Sequence, residues 1–471
     1  MHGMLTTMIS LNRTLGAVGW LVLFIISMPV GAGLSAELAG VRVGIDDYRG
    51  PATIRAKLID RHRVEIEFDP GTESTGVVIR VELPLSGRDA WPVADVEVLD
   101  SRGRPMLVRR AGIEWHKLHI AVPPERSTLI VRAVNVASDG PRGRPERERH
   151  ATDSKTGLSA TICRWYDGRR AALSIRFDDS HPTHLTKAIP ILNEYGFRGT
   201  FMVNPGSPEG HAPDPRRRSA FQDHLSQWQA VAQRGKHEFA NHTLDHRGAR
   251  NDEEMDYQIG EASQAIWKLF PTESKLIALN LGGGTWWTTT RTLRSYLDKY
   301  HLFDASSGST GMDDTYGNRV AEFRRLLETH LESGGWYRAH YHYIGKGLSS
   351  SEEHFRTALD VAKEHGGELW IAGMADIHKY QTERHGATLT IENSTTDRVG
   401  LRLSCSAEPG LYDQPLTIEV TLPQSWPPHR VLVQNTHDEA IDTRSQKVNG
   451  KDVLRFDVAP RDAFYRIVTT R

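Results

Sequence analysis

The chain has 471 residues, with 58 Lys+Arg set against 59 Asp+Glu, a formal net charge of −1. That length exceeds one typical domain and predicts two to four. The near-cancelling charge supplies no long-range attraction for a polyanion and argues against nucleic acid as a partner.

In chain order, residues 15–36 carry no charge and include Trp20-Leu21-Val22-Leu23-Phe24-Ile25-Ile26, with Arg13 just before. This reads as a signal peptide or single membrane anchor within residues 1–36, with Val30 and Ala32 as small residues at a peptidase spacing. It implies a chain that is secreted, periplasmic or membrane-anchored facing outside the cytoplasm. Residues 40–137 alternate apolar and polar side chains, and strands are predicted at 64–68, 76–83, 93–98, 117–122 and 128–133, separated by Gly, Pro, Asp and Ser. A small N-terminal β-sandwich follows from that pattern. Residues 138–165 include Gly140-Pro141-Arg142-Gly143-Arg144-Pro145-Glu146-Arg147-Glu148-Arg149, too charged to fold alone, and are expected as a linker.

The rhythm changes over residues 166–384. Short apolar strands are predicted at 173–177, 199–203, 237–240, 275–280, 301–303, 336–342 and 368–371. Helices are predicted at 185–195, 225–234, 252–269, 289–300, 319–332 and 352–364. Helices between single strands mean parallel pairing through crossovers. The expected fold is α/β, a distorted (β/α)7 barrel flanked by N-terminal and C-terminal β-sandwich-like domains. Alternation returns in residues 385–471, with strands at 388–392, 400–404, 416–422, 430–434, 453–458 and 465–468. Two cysteines, Cys163 and Cys405, could form one disulfide or remain buried thiols, and their spacing leaves both open.

The chemistry concentrates in the central region. The run Ala171-Ala172-Leu173-Ser174-Ile175-Arg176-Phe177 reads as a buried strand delivering Asp178 and Asp179 at its C-terminal end, where parallel sheets carry their sites. A later strand is followed at once by His242 and His246. Four residues apart, those imidazoles would share one face of a helical turn. A carboxylate with two imidazoles makes a three-ligand site for a divalent metal, zinc foremost, with cobalt, nickel and manganese also suited to such donors. With 22 histidines a lone His-x-x-x-His is weak, but the ordered set is sharper: paired acids, then paired histidines, then a histidine ending a later strand.

These motifs, Phe177-Asp178-Asp179-Ser180 and His242-Thr243-Leu244-Asp245-His246, resemble those of the NodB-type polysaccharide deacetylases, carbohydrate esterase family 4. The resemblance implies Asp179, His242 and His246 as metal ligands and Asp178 as catalytic base. It implies His342, in Arg338-Ala339-His340-Tyr341-His342, as catalytic acid, with His340 on the same face as a partner or rival. The substrate it implies is an acetylated polysaccharide or oligosaccharide, cleaved at an N-acetyl group; an ester deacetylase, a deformylase-like amidase or a catalytically weak carbohydrate-binding protein are the alternatives. Two departures stand out. The family's third motif supplies an arginine beside the base, whereas residues 278–287 read Ala-Leu-Asn-Leu-Gly-Gly-Gly-Thr-Trp-Trp; Arg338 is the candidate replacement, and Trp286 and Trp287 could stack on a sugar or close the barrel as core. The fourth, an Asp and Trp signature, is not recognisable around residues 303–308. Trp228, on a helix before the second motif, is expected to pack that helix on the barrel.

Overall fold

The computed structural model describes residues 35–46, 52–72, 75–134, 145–206, 219–345 and 349–470. The expected signal or anchor therefore lies outside the described residues except at its end, where Ser35 and Ala36 begin strand Ser35–Leu38. Among the described residues no helix is long and apolar enough to cross a membrane.

The central sheet is α/β and entirely parallel. Strand Ala171–Phe177, buried at every position, lies at its middle. On one side follow Gly199–Val203, Glu238–Asn241, Ile277–Leu279 and Leu302–Asp304. On the other lie Trp336–Tyr341 and the two-residue strand Thr310–Gly311, while Leu369–Ile371 pairs with the start of the middle strand. The seven expected strands thus become eight. No ladder joins the two edge strands among the described residues, so the distorted barrel expected from the sequence is a curled sheet left open. Its apolar runs are continuous because both faces are covered. Phe177 anchors the centre, stacking on Phe201 at 5.2 Å and Tyr341 at 5.4 Å between ring centroids. Helices Asp252–Leu269 and Glu352–Glu364 fall at the predicted positions, each capped by a polar side chain, Asn251 and Ser351.

The N-terminal region forms two antiparallel sheets over one apolar core. Its larger sheet ends in a strand from the central domain: Trp286–Thr289 pairs antiparallel with Val108–Ala111. Residues 289–300, expected as helix, accordingly yield a helix only over Leu293–Lys299. The aromatic and β-branched residues of Trp286-Trp287-Thr288-Thr289 favour extension, and an open sheet edge receives them.

The C-terminal region is likewise two sheets on one core. Two of its strands, His150–Thr152 and Ser159–Ile162, come from the stretch expected as a linker, and the second pairs with Leu416–Thr421. Arg149, buried, donates from Nε to the Arg384 carbonyl at 2.7 Å, fastening this returning segment to the helix Met374–Gly386. Cys163 is a buried thiol pushed up to about 12 by burial, and the Cys405 thiol donates to the Glu383 carbonyl at 3.6 Å, so the two do not form a disulfide.

Candidate active site at the strand ends

Asp178 and Asp179 follow the middle strand directly. Neighbouring residues on a continuing strand would point apart. Here Asp179 and Ser180 take φ of +77° and +53°, so the chain turns sharply and the second acid swings toward the later strands. Left-handed backbone at non-glycine residues costs about 1–3 kcal/mol each and persists only where surroundings enforce it. The Ser180 hydroxyl does so by accepting from the Asn204 backbone N–H at 2.9 Å.

The histidine loop is held in the same way. Residues 242–246 are irregular and not the expected helical turn, because Thr243 and His246 have φ of +65° and +57°. The Thr243 N–H donates to Asn241 Oδ1 at 2.7 Å, and the His246 N–H donates to Thr243 Oγ1 at 3.1 Å. Asn204 Nδ2 donates to the His242 and Thr243 carbonyls.

These two turns bring ligating atoms of Asp179, His242 and His246 within 4.8 Å of one another. His242 Nε2 lies 3.2 Å from Asp179 Oδ1, while its Nδ1 faces the Asn280 carbonyl at 2.9 Å. That second contact fixes the ring so that Nε2 is the nitrogen turned to the carboxylate, the arrangement of metal-binding histidines. His246 is backed by Gly282: a Cβ there would lie 2.2 Å from its Nε2. One carboxylate and two oriented imidazoles fit a divalent cation. Burial pushes Asp179 up, but the hydrogen bond and charge of His242 outweigh it and hold the carboxyl well below its ordinary range. His242 is correspondingly raised despite its burial, by Asp179 and Asp178, and His246 is lowered by burial and by His242.

Asp178 is buried beside this cluster. Its Oδ2 accepts from Arg176 Nη2 at 2.8 Å and from Asn280 Nδ2 at 3.1 Å, whereas its buried Oδ1 makes no hydrogen bond among the described residues. Burial raises its carboxyl, and the charges of Arg176, His242 and His340 together more than offset this, leaving it below the ordinary value. The guanidinium at Asp178 is therefore Arg176, not Arg338. Arg338 lies over the Trp336 ring at 5.1 Å and against Gly308.

His342 sits 2.6 Å through Nδ1 from Oδ2 of the fully buried Asp313, whose Oδ1 accepts from the His342 N–H at 3.0 Å. Burial lowers the imidazole, but Asp313 outweighs it and the net shift is upward. His340 differs: burial, then the Arg176 charge, drive it down to about 4, and its Nδ1 makes no hydrogen bond among the described residues. Asp313 escaped the sequence reading because it follows the two-residue strand Thr310–Gly311, where no periodic pattern marks it; an acid in Gly311-Met312-Asp313-Asp314 was the only signal. The stretch 303–308 instead supports the site indirectly, with the Ala305 carbonyl accepting from Arg176 and the Ser306 hydroxyl from the Leu281 N–H.

The tryptophans divide. Trp287 is core, Nε1 donating to Thr285 at 2.8 Å. Trp286 is 40% exposed, beneath the Arg109 guanidinium at 4.2 Å, beside a cleft of about 800 Å³ lined by Arg109, Asp245, Arg247 and Tyr257. Trp228 is buried and stacks on Phe221 at 5.6 Å, the packing role expected of it.

Residues 166–300 match the family model described as polysaccharide deacetylase. No curated protein matches the chain in sequence. Among similar solved structures, a family 4 carbohydrate esterase from Streptomyces lividans in complex with acetate is 19% identical, with 44% of this chain and 94% of that one covered and a TM-score of 0.31. A mutant peptidoglycan deacetylase PdaC from Bacillus subtilis is 13% identical over 46% of this chain and 94% of that one, TM-score 0.32. A family 4 pseudoenzyme from Bacillus anthracis is 12% identical over 45% and 66%, TM-score 0.32. The match over residues 166–300, under a third of the chain, agrees with the motifs, and over that stretch the sequence is similar to the polysaccharide deacetylases.

Proposed function

We propose that this protein is a metal-dependent hydrolase that removes N-acetyl groups from an envelope or extracellular polysaccharide. The observation that carries the reading is the convergence of Asp179, His242 and His246 within 4.8 Å, beside a buried Asp178 whose Oδ1 is free of hydrogen bonds among the described residues. Those three residues would hold the cation, zinc foremost, with cobalt, nickel or manganese as substitutes. When bound, such an ion polarises a carbonyl and offsets charge developing on its oxygen.

The chain's own residues supply the proton transfers. Asp178 Oδ1 takes a proton from the attacking water, while Arg176 and Asn280 keep the other oxygen occupied and the carboxylate ionised. His342 donates a proton to the departing amine nitrogen. Asp313 supports that role by raising the imidazole and fixing its tautomer, so that Nδ1 faces inward and Nε2 is left to donate. His340, held neutral by burial, is the poorer acid. The apolar segment 15–36 supports export, with the mature chain secreted, periplasmic or anchored facing outward.

The test is metal analysis of the purified chain followed by acetate release from chitin oligosaccharides, peptidoglycan fragments and O- and N-acetylated exopolysaccharide, with His242→Ala as control. About one equivalent of metal and acetate release from an N-acetylated glycan, both lost in His242→Ala, are expected. A full equivalent of metal with no acetate from any of these substrates would sink the proposal.

A further inference from the structure

We propose that Arg176 is the positioning residue of the catalytic base: its guanidinium, carried on the base's own strand, fixes the Asp178 carboxylate so that Oδ1 faces the reacting water. This rests on the functional reading above and concerns how that site is built.

The placement is unusual for an arginine. Arg176 lies inside a seven-residue strand buried throughout, between Ile175 and Phe177, and is itself only 4% exposed. Removing a guanidinium from water costs several kcal/mol unless its partners are good. Two are. Nη1 donates to the Ala305 carbonyl at 2.9 Å, just past strand Leu302–Asp304, and Nη2 donates to Asp178 Oδ2 at 2.8 Å. Arg176 and Asp178 share one face of the strand, two residues apart, so the arginine needs no loop to reach the base. The group spans the interior between the middle of the curled sheet and its edge. Its Nε has no hydrogen bond among the described residues, so burial of the group is not fully compensated, as expected where function and not stability selects the residue.

The neighbouring groups sharpen the assignment. Asn280 occupies the loop after strand Ile277–Leu279, where an arginine is missing, and gives the same Oδ2 a neutral hydrogen bond while its carbonyl faces His242 Nδ1. His340, the register partner of Arg176 on the adjacent strand, places no carboxylate against the guanidinium. Arg338 is engaged over Trp336. Among the described residues, Arg176 is thus the cation hydrogen-bonded to Asp178.

The test compares full-length wild type with Arg176→Met, Arg176→Lys and Arg176→Ala. Expected for Arg176→Met is a 10²- to 10³-fold fall in kcat with KM changed less than threefold and metal content kept near one equivalent. Arg176→Lys, which keeps the charge but not the fork, should recover part of the rate, and added guanidinium ion should restore Arg176→Ala at least tenfold. A crystal structure of Arg176→Met should show the Asp178 carboxylate rotated off Asn280 Nδ2. Unchanged kcat in a folded Arg176→Met protein, or loss of its metal in step with its rate, would overturn the assignment. If the wild type itself releases no acetate, the hydrolase reading falls, and the Asp178 orientation in Arg176→Met still decides the positioning role: rotated supports it, unmoved overturns it.

Discussion

Replacing Gly282 by alanine perturbs the site without changing any of the three residues proposed to hold the metal. Gly282 has φ of +84°, and an added Cβ would stand 2.2, 2.7 and 3.0 Å from Nε2, Cδ2 and Cε1 of His246. Carbon contacts become favourable near 3.5–4.0 Å, so the imidazole must retreat by roughly 1 Å or more. The backbone cost of a left-handed alanine adds about 1–2 kcal/mol. Gly282 cannot easily yield, since its N–H donates to Asn280 Oδ1 at 3.0 Å and its carbonyl accepts from Thr285 Oγ1 at 2.8 Å. If His246 binds the metal as proposed, disturbing its support lowers metal affinity by about 10- to 100-fold, and a 1 Å misplacement costs about 10²-fold in rate. Chelator competition would read the affinity, thermal melting of metal-free protein the backbone cost. Gly282→Ala binding zinc as tightly as wild type would show that His246 does not depend on this close approach.

Asp313→Asn should lower kcat roughly 10- to 100-fold and move the alkaline limb of its pH profile to lower pH, because Asp313 holds the His342 imidazole above its ordinary value and the proposed acid acts in its protonated form. An alkaline limb in the same place would remove His342 from that role. Glu383, fully buried on helix Met374–Gly386, is pushed from 4.5 up to about 8, chiefly by burial. The folded state therefore keeps a proton that the unfolded chain releases, and this contribution, complete below pH 4.5, is lost as pH rises towards about 8. Glu383→Gln should flatten the fall in stability across that window by on the order of 1 kcal/mol per pH unit; equal slopes in denaturant titrations of the two proteins would refute it.

Elements with continuous or periodic apolar patterns were legible in the sequence. Strand Gly199–Val203 and helices Asp252–Leu269 and Glu352–Glu364 coincide with their predictions because burial on both faces, or along one stripe, writes itself into composition. Short or exposed elements were not. Thr310–Gly311 is too brief for any period, and Arg444–Val448 is almost wholly exposed, held by backbone pairing with Lys451–Val458. Within the site, residue types and order pointed to Asp178, Asp179, His242, His246 and His342. The contacts that orient them were hidden, because Asp313 and Asn280 act across 29 and 102 residues of chain. Arg176 was visible within a run read as a buried strand, but its partners were not: the Ala305 carbonyl that accepts from it lies 129 residues on and meets it only in the folded sheet.

The strand shared between the central and N-terminal regions has a practical consequence. Trp286–Thr289 leaves the glycine-bearing turn behind His246, accepts a rung from Ala249 on one side and joins Val108–Ala111 on the other, while Gly112 sits against the carbonyls of Leu281 and Gly282. Excising the central α/β segment as a minimal fragment would strip that ribbon of its neighbour, exposing tryptophan and unpaired amides at a ragged border prone to self-association. The N-terminal sandwich is thereby one wall of the mould in which the histidine loop sets, and truncation studies should keep the two together.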